Sequence, residues 1–242
     1  MIHRAARIGF SRSADAYERA RPGYPQDAIE HVVSRLPAEA RVLDLAAGTG
    51  KLTRPLMAAG LEVLAVEPVA EMRAALPASV DAREGTAEAI PLEDSCVDAV
   101  TIGQAFHWFA EQAALREIHR VLRPHGVLAL IWNRRLEDDP VNRRISELLA
   151  PHRADAPTHR FNTWRSAFEE AMDLFGPLEE RVFANEQVLD ADGFEERIGS
   201  VSFIAALDEP ERSRVLEQAR SLAGGATAVV PYRCEAQTCR AR

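Results

Sequence analysis

The sequence predicts an α/β fold of the doubly wound kind, with a mostly parallel sheet of seven strands. Short apolar runs alternate with amphipathic stretches between Arg41 and Trp132, and this alternation is typical of parallel strands joined by right-handed helical crossovers. Two more extended segments, 178–189 and 228–240, flank a helical region. We expect this pair to run antiparallel at the sheet edge, with the helical region forming a cap.

Local signals mark the individual elements. Pro25 and Pro37 bracket a predicted helix, because proline suits a first helical turn and often follows a helix end. Gly60 is a natural left-handed helix cap, and the apolar run 61–66 indicates a central strand buried on both faces. The other predictions are strands at 41–45, 80–84, 97–102 and 127–132, helices at 51–59, 69–76 and 110–122, polar helices over 133–175, and helices over 195–223 that end at Gly224-Gly225.

The composition argues against several classes of protein. No apolar run approaches the roughly 20 residues that span a bilayer, and the first residues lack the apolar core of a secretory signal, so we expect a cytoplasmic protein. A net charge of −8 and a single lysine, Lys51, oppose binding to nucleic acid. Cys96, Cys234 and Cys239 fit neither a disulfide framework nor a zinc site, and no metal is expected.

The sharpest local signal is the segment Asp44-Leu-Ala-Ala-Gly-Thr-Gly50, which follows the first strand and opens a helix. Open α/β sheets bind ligands at this edge. Gly48 and Gly50 let the backbone turn tightly and approach a ligand, and Asp44 can accept hydrogen bonds from an ammonium or hydroxyl group. The loop therefore suits a cationic amino-acid moiety.

Two other glycine-loop classes fit this segment less well. A Walker phosphate loop requires Ser or Thr after Gly-Lys, whereas Leu52 follows Lys51. A dinucleotide fingerprint requires a third glycine where Thr53 stands, and it remains an alternative because Glu67 closes the second strand. A carboxylate at that strand end can accept both hydroxyls of a ribose. Loop and carboxylate together indicate a nucleoside ligand.

Over about residues 10 to 135 the chain resembles the class I S-adenosylmethionine-dependent methyltransferases, in particular the branch related to trans-aconitate methyltransferase. The matching segments are 44–50, Glu67-Pro68 with Met72, 85–91, 98–108 and 122–126. The resemblance implies a Rossmann-like fold, S-adenosylmethionine as cofactor, S-adenosylhomocysteine as its product and a small-molecule methyl acceptor. It also implies one domain over 1–242, with lid helices (1–36), a cofactor-binding core (37–135), and acceptor-side helices with the C-terminal strand pair (136–242).

The resemblance assigns the cofactor site residue by residue. Gly48 and Gly50 would contact the methionine part, Glu67 the ribose and Met72 the adenine face. Ala87 with Glu88 would meet the adenine edge, while Gln104 and Ala105 would border the sulfur. The remaining residues of the predicted cofactor site are Asp44, Ala46, Pro68, Thr86, and Tyr17 and Arg21 of an N-terminal lid that also includes Tyr24.

Two positions depart from the family pattern. Ala46 replaces the usual first glycine of the loop, which is harmless if its φ is negative. His125 replaces a glycine in the turn after Pro124, and we expect it at the end of the sheet away from the site.

The acceptor side carries weaker signals. Methyl transfer is an in-line displacement that alignment in a dry pocket can accelerate, so a carboxylate acceptor needs no base, whereas a hydroxyl acceptor would benefit from one. His107 is the candidate, either as that base or as a pocket residue. Arginines such as Arg134, Arg135 and Arg165 could pair with a carboxylate, although solvent exposure is their usual state.

Alternative functions remain at this stage. A nucleic-acid methyltransferase, or a protein that binds the cofactor without turnover, would use the same loop and Glu67. The sequence carries neither an Asn-Pro-Pro-Tyr-like element after the fourth strand nor a cysteine near the site, which disfavours amino-directed DNA and cytosine-carbon methylation. We expect a monomer or homodimer acting on a small carboxylate or hydroxyl compound.

Overall fold

The computed structural model describes residues 18, 20–153 and 163–242 of the chain, so the predicted lid residue Tyr17 lies outside the described residues. The strands are β1 Arg41–Leu45, β2 Glu62–Val66, β3 Asp81–Arg83, β4 Val97–Gly103, β5 Leu122–Arg135, β6 Glu179–Leu189 and β7 Ala228–Arg240. They form one seven-stranded sheet in the order β3-β2-β1-β4-β5-β7-β6. The predicted α/β class and the doubly wound sheet are confirmed.

Helices connect the strands. The α-helices are α1 Gln26–Val33, α2 Thr53–Ala58, α3 Ala70–Ala74, α4 Glu111–Val121, α5 Pro140–Leu149, α6 Ser166–Glu170, α7 Ala191–Gly199, α8 Ser202–Ala205 and α9 Glu209–Arg220. Short 3₁₀ segments occur at Phe106–Trp108, Ala150–His152, Thr163–Arg165 and Ser221–Ala223. Among the described residues, no helix is long and apolar enough to cross a membrane.

The direction of strand pairing changes across the sheet. β1 pairs in parallel with β2 and β4, β2 with β3, and β4 with β5. Beside β5, the Ala241 N–H donates to the Gly126 carbonyl and the Leu136 N–H donates to the Pro231 carbonyl. One residue number rises as the other falls, so β7 runs antiparallel to β5. The predicted antiparallel C-terminal strands are confirmed.

Element boundaries differ from the predictions mainly around β5. This strand was predicted at 127–132 but begins at Leu122, which pairs with Val97, and ends at Arg135. The predicted turn after Pro124 lies within the strand as a bulge: Leu122 pairs with Val97 and Val127 with Ala99, so residues 123–126 lie opposite Asp98 alone. In this bulge His125 adopts a φ of 63° in place of the usual glycine. The prediction of helix at 133–135 is therefore wrong.

The described residues form two compact units. The larger, here called the sheet unit, comprises the described residues of 24–132, 157–183 and 234–242. Its strands bury both faces, as β1 and β2 show with four consecutive buried residues each. One face packs around Leu115 and Ile118 of α4, and the other around Ile29 of α1 and Leu56 of α2. Because both faces of the sheet are buried, polar side chains that could contact a ligand are expected at the strand ends.

The smaller unit, here called the helical unit, comprises the described residues of 1–23, 133–156 and 184–233. It has its own apolar core, in which Phe194 and Ile198 of α7 pack with Val215 of α9 and Tyr232 of β7. The Gly224-Gly225 breaker ends its helical region with φ values of 65° and 102°, as predicted. The region 195–223, predicted to be helical, contains the end of α7, then α8 and α9, followed by the 3₁₀ turn Ser221–Ala223.

Two of the three cysteines are buried thiols of low reactivity. Cys234 and Cys239 are free and buried, and desolvation raises the pKa of both thiols to about 12. Both remain protonated near neutral pH, and a protonated thiol is a poor nucleophile.

Truncating the core side chain Leu115 tests the packing of α4 against the sheet. Leu115 is fully buried, so Leu115→Ala is expected to lower the free energy of unfolding by about 2 to 5 kcal/mol. Met172 lies in the same unit with 62% of its surface exposed, and Met172→Ala should stay within about 0.5 kcal/mol of wild type. Urea unfolding followed by tryptophan fluorescence measures both, and equal losses would contradict the packing described.

Candidate functional site

The loop after β1 is shaped by alternate residues with positive φ. Ala46, Gly48 and Gly50 have φ values of 56°, 58° and 92°, so the condition under which Ala46 was expected to be harmless does not hold. The Ala47 N–H donates to the Val66 carbonyl and the Gly50 N–H donates to the Ala47 carbonyl. These bonds hold the loop against the end of β2, the edge where the sequence predicted a ligand.

Asp44 lies inside this edge, with 1% of its surface exposed. The Thr53 hydroxyl donates to its Oδ2 at 2.6 Å, and the Thr101 hydroxyl lies 3.5 Å from its Oδ1. Desolvation raises the pKa of Asp44 to about 7, and repulsion by Glu67 adds to this, while the hydrogen bonds act in the opposite direction. The carboxylate is thus ionised only in part near neutral pH, and a bound cation would favour its charged form.

Glu67 closes β2 and organises the loop beside it. Its Oε2 accepts from the Gly48 N–H at 2.8 Å, and its Oε1 accepts from the Val69 N–H at 2.9 Å. Burial raises the pKa of Glu67 despite these two bonds, because only 4% of the residue is exposed. Each carboxylate oxygen has a second lone pair, so both can accept a further hydrogen bond from a ligand.

Apolar surface lies next to these carboxylates. Met72 is buried, and its Sδ lies 3.9 Å from where a Cβ on Gly48 would stand. Ala87 is buried after β3, and Pro68 is half-buried. A thioether, a methyl group and a proline ring so close to two carboxylates suit a ligand that has both an apolar ring and hydroxyl groups.

The side chain of Glu88 is engaged within the protein. Its Oε1 accepts from the Ala110 N–H at 2.9 Å, just before α4. Burial opposes ionisation, but hydrogen bonds from Ala110 and from the Thr86 hydroxyl hold the pKa of Glu88 below its usual value. Thr86 also forms an isolated antiparallel bridge with Ala89. These contacts give Glu88 a structural role in addition to the contact with the adenine edge that the resemblance implies.

The end of β4 is the third strand end at this edge. Gln104 adopts a φ of 60° and its N–H donates to the Ile131 carbonyl, which turns the chain sharply before the half-buried Ala105. A Cβ on Gly103, the residue before Gln104, would collide with the hydroxyl of Tyr24 unless Tyr24 moved. Tyr24, predicted to belong to the lid, therefore packs directly on the β4 end.

His107 lies in the 3₁₀ turn after β4, among aromatic rings. Its ring centroid is 4.7 Å from that of Trp108 and 5.6 Å from that of Trp132. Desolvation lowers the pKa of His107 to about 4, so the imidazole is neutral at neutral pH. A neutral ring can accept a proton, but such a low pKa makes it a weak general base.

The sequence did not identify the rest of this aromatic cluster. Trp164 and Trp132 stack at 5.6 Å and 22°, and Trp164 also meets Phe106 edge-on at 5.8 Å. Phe168 packs against Phe106 at 5.5 Å. The i, i+4 spacing of Trp164 and Phe168 was the available signal, but the segment was interpreted as polar helix.

Three arginines that the sequence predicted as candidates for ligand binding make contacts within the protein. Arg165 forms an ion pair with Glu180 and stacks over Trp164. Arg135 donates to the Ser146 hydroxyl at 3.3 Å. In the helical unit, Arg21 donates to the Ser200 carbonyl at 2.7 Å. Arg165 is therefore already paired with a carboxylate of the protein itself.

In the sheet unit, the structure brings the predicted cofactor residues together at the ends of β1 to β4. Known proteins share this region, since the sequence profile of the family described as a methyltransferase domain matches residues 43–130. A methyltransferase-like protein of Schizosaccharomyces pombe, itself uncharacterised, is 38% identical over 213 residues, which cover 85% of this chain and 82% of that protein. The chain belongs to the methyltransferase family.

Two further similarities agree with this membership. An uncharacterised methyltransferase of Mycobacterium tuberculosis is 51% identical over 147 residues, and the alignment covers 59% of each chain. A solved structure from Anaeromyxobacter dehalogenans, provisionally named a type II methyltransferase, has a TM-score of 0.64 and 23% identity over 91% of this chain and 97% of that one. The fold is therefore shared, and the trans-aconitate branch remains a prediction.

Replacing Ala46 by glycine tests the strain in the methyltransferase's loop. A positive φ costs an L-residue about 1 to 2 kcal/mol, so Ala46→Gly should raise the free energy of unfolding by up to about 1 kcal/mol after the entropy of glycine is subtracted. Ala46→Val should lower it. Ala47 has a negative φ, so Ala47→Gly is the matched control and should destabilise. Equal losses in both glycine variants, measured by urea unfolding, would refute the strain.

Proposed function

We propose that this methyltransferase transfers a methyl group from S-adenosylmethionine to a carboxylate or hydroxyl oxygen of a small molecule, in the cytoplasm and as a monomer or homodimer. The observation that carries the proposal is the pair of buried carboxylates, Asp44 and Glu67, at the ends of the paired strands β1 and β2. We propose that the residues around these two carboxylates bind the individual chemical groups of this cofactor.

Asp44 suits the ammonium group of the methionine part. Its charge is penalised by burial and by Glu67, so a cationic ligand group relieves an unfavourable interaction within the protein. The positive φ values of Gly48 and Gly50 turn the loop backbone tightly, and at Gly48 the absence of a Cβ leaves room in front of Met72.

Glu67 suits the ribose, since each of its oxygens retains a lone pair for a hydroxyl group. Met72 and Ala87 offer buried apolar surface for the adenine ring, with Pro68 and Thr86 beside them. When bound, the cofactor supplies an activated methyl group on a sulfonium. The protein's part is to hold donor and acceptor in line and to exclude water.

His107 is proposed as a residue of the acceptor pocket rather than as a base. With its pKa lowered to about 4 by burial, it would take up a proton from a hydroxyl only at a high energetic cost. The rings of Trp132 and Trp164 nearby favour a dry acceptor site. Because His107 is a weak base, we favour an acceptor that needs no deprotonation, such as a carboxylate.

Calorimetric titration with S-adenosylmethionine and S-adenosylhomocysteine tests the cofactor assignment. We expect micromolar binding to wild type and a loss of about 10- to 100-fold in Glu67→Gln, because a hydrogen bond to a charged acceptor is worth about 1.5 to 3 kcal/mol. Glu84 lies exposed near the same strand ends, so Glu84→Gln is the control and should bind as wild type does.

The outcome separates three classes of protein. Tight binding of NAD, without binding of S-adenosylmethionine or S-adenosylhomocysteine, would place the loop after β1 in the dinucleotide-binding class. Binding with no methylated product across a panel of carboxylic acids and phenols would favour a non-catalytic cofactor-binding protein. Affinity for DNA or RNA that falls steeply with salt would favour a nucleic-acid methyltransferase, which the net charge of −8 opposes.

The pH dependence of binding tests the role of Asp44. Its pKa is about 7 in the folded protein and about 4 when unfolded, so its contribution to stability without ligand is fully present below about pH 4 and is lost as the pH rises through 7. Cofactor affinity should change in the opposite direction and increase from pH 6 to 8, because the ammonium pairs with the ionised carboxylate.

Calorimetry and thermal unfolding at pH 6, 7 and 8 measure the two trends. Asp44→Asn retains the shape of the side chain without its charge, so both slopes should flatten in this variant. An unchanged slope in Asp44→Asn would assign the pH dependence to another group and remove Asp44 from the ammonium site.

A further inference from the structure

A second charged group is buried away from the strand ends described above. Arg197 lies in the last turn of α7 within the helical unit, and only 8% of it is exposed. Its neighbours on the same helix, Phe194 and Ile198, are fully buried in the apolar core of that unit. The sequence did not single out Arg197, because an arginine in a helix usually lies on a solvated face.

The guanidinium group has few partners. Its Nε donates to the hydroxyl of Tyr232 at 3.4 Å, a long hydrogen bond. Its Nη1 is buried and has no hydrogen-bond partner among the described residues. No ion pair with a carboxylate is found for Arg197 within the same described part of the chain.

Such an arrangement is costly for a protein. A buried cation without a paired anion loses hydration that nothing replaces, and a buried N–H without an acceptor costs about 1 to 3 kcal/mol in general. The position of Arg197 in the last turn of α7 offers some compensation through the helix dipole. The dipole supplies no acceptor for Nη1, so part of the cost remains.

The neighbouring groups are polar and ordered. Tyr232 donates its hydroxyl to Oε1 of Gln187 at 3.3 Å, and the Ser200 hydroxyl donates to the backbone carbonyl of Arg197 at 2.8 Å. Gln187 in turn donates to the Ala20 carbonyl at 3.0 Å. These bonds hold the tyrosine and the helix end in place around the guanidinium, which reduces the entropy cost of binding a ligand there.

We propose that Arg197 binds the carboxylate of a small organic acid. A single positive charge with no ion-pair partner among the described residues matches a single negative charge, and the planar guanidinium fits a carboxylate through parallel N–H donors. This inference goes beyond the proposed function, because it assigns an acid-binding site within the helical unit by itself.

Calorimetry on the full chain tests the proposal with benzoate and glutarate as probes, and with benzamide and inorganic phosphate as comparison ligands. Each titration is made with and without S-adenosylhomocysteine. We expect a carboxylate probe to bind wild type at least 10-fold more tightly than benzamide and than phosphate. We expect Arg197→Met and Arg197→Lys each to weaken it about 10-fold or more, since lysine keeps the charge but not the planar fork.

Thermal unfolding separates binding from a structural role. If the charge is held for a ligand, Arg197→Met without ligand should unfold at the same or a higher temperature than wild type, as when a buried charge gives way to an apolar side chain. Arg214 on α9 is exposed, and Arg214→Met should change neither binding nor stability. If Arg197→Met does not fold, Arg197→Lys decides the question.

The proposal is overturned if benzamide or phosphate binds as tightly as every carboxylate probe, or if Arg197→Lys keeps the full affinity for carboxylates. It is also overturned if Arg197→Met unfolds at a lower temperature than wild type and keeps its carboxylate affinity. If S-adenosylhomocysteine binds while no carboxylate does, only this inference fails. If carboxylates bind through Arg197 while S-adenosylhomocysteine does not, the proposed cofactor is wrong and the acid-binding site stands.

Discussion

The burial of two carboxylates at adjacent strand ends is the constraint on which the candidate site depends. Asp44 and Glu67 are almost completely removed from water, and repulsion by Glu67 makes Asp44 harder to ionise. The protein offsets this with neutral donors, namely the Thr53 hydroxyl for Asp44 and the N–H groups of Gly48 and Val69 for Glu67. Neutral donors reduce the cost of the charges without cancelling it, which leaves both carboxylates suited to a ligand.

The same bonds explain why the loop has its shape. The Gly48 N–H can point at Glu67 because the chain takes positive φ values at alternate residues, and Ala46 shares this conformation although it is not glycine. Glu67 therefore holds the loop, and it is also the residue that we propose for the ribose of the ligand. A substitution at Glu67 is expected to act through both roles, and for that reason the amide, which retains the shape, is more informative than alanine.

Local sequence signals were sufficient where the structure depends on local chemistry. The spacing of apolar residues in the strands, the glycines of the loop after β1 and Glu67 were sufficient to predict the fold class. The bounds of β7 were predicted to the residue. Contacts between distant segments left no such signal. The stacking of Trp132 on Trp164 joins residues 32 positions apart, and the extension of β5 through His125 depends on pairing with β4. The hydrophobic periodicity of a single segment contains no information about the stacking of the two tryptophans or about the extension of β5.

The features that are unfavourable to the fold alone share one explanation. A strained alanine, a half-neutral aspartate and a buried arginine without an ion-pair partner among the described residues each have a replacement that would stabilise the fold. Their presence is understandable if each is compensated when a ligand binds, as strain and buried charge commonly are at functional sites. Asp44 would then recognise a cation and Arg197 an anion, so the two proposed sites would take ligand groups of opposite charge.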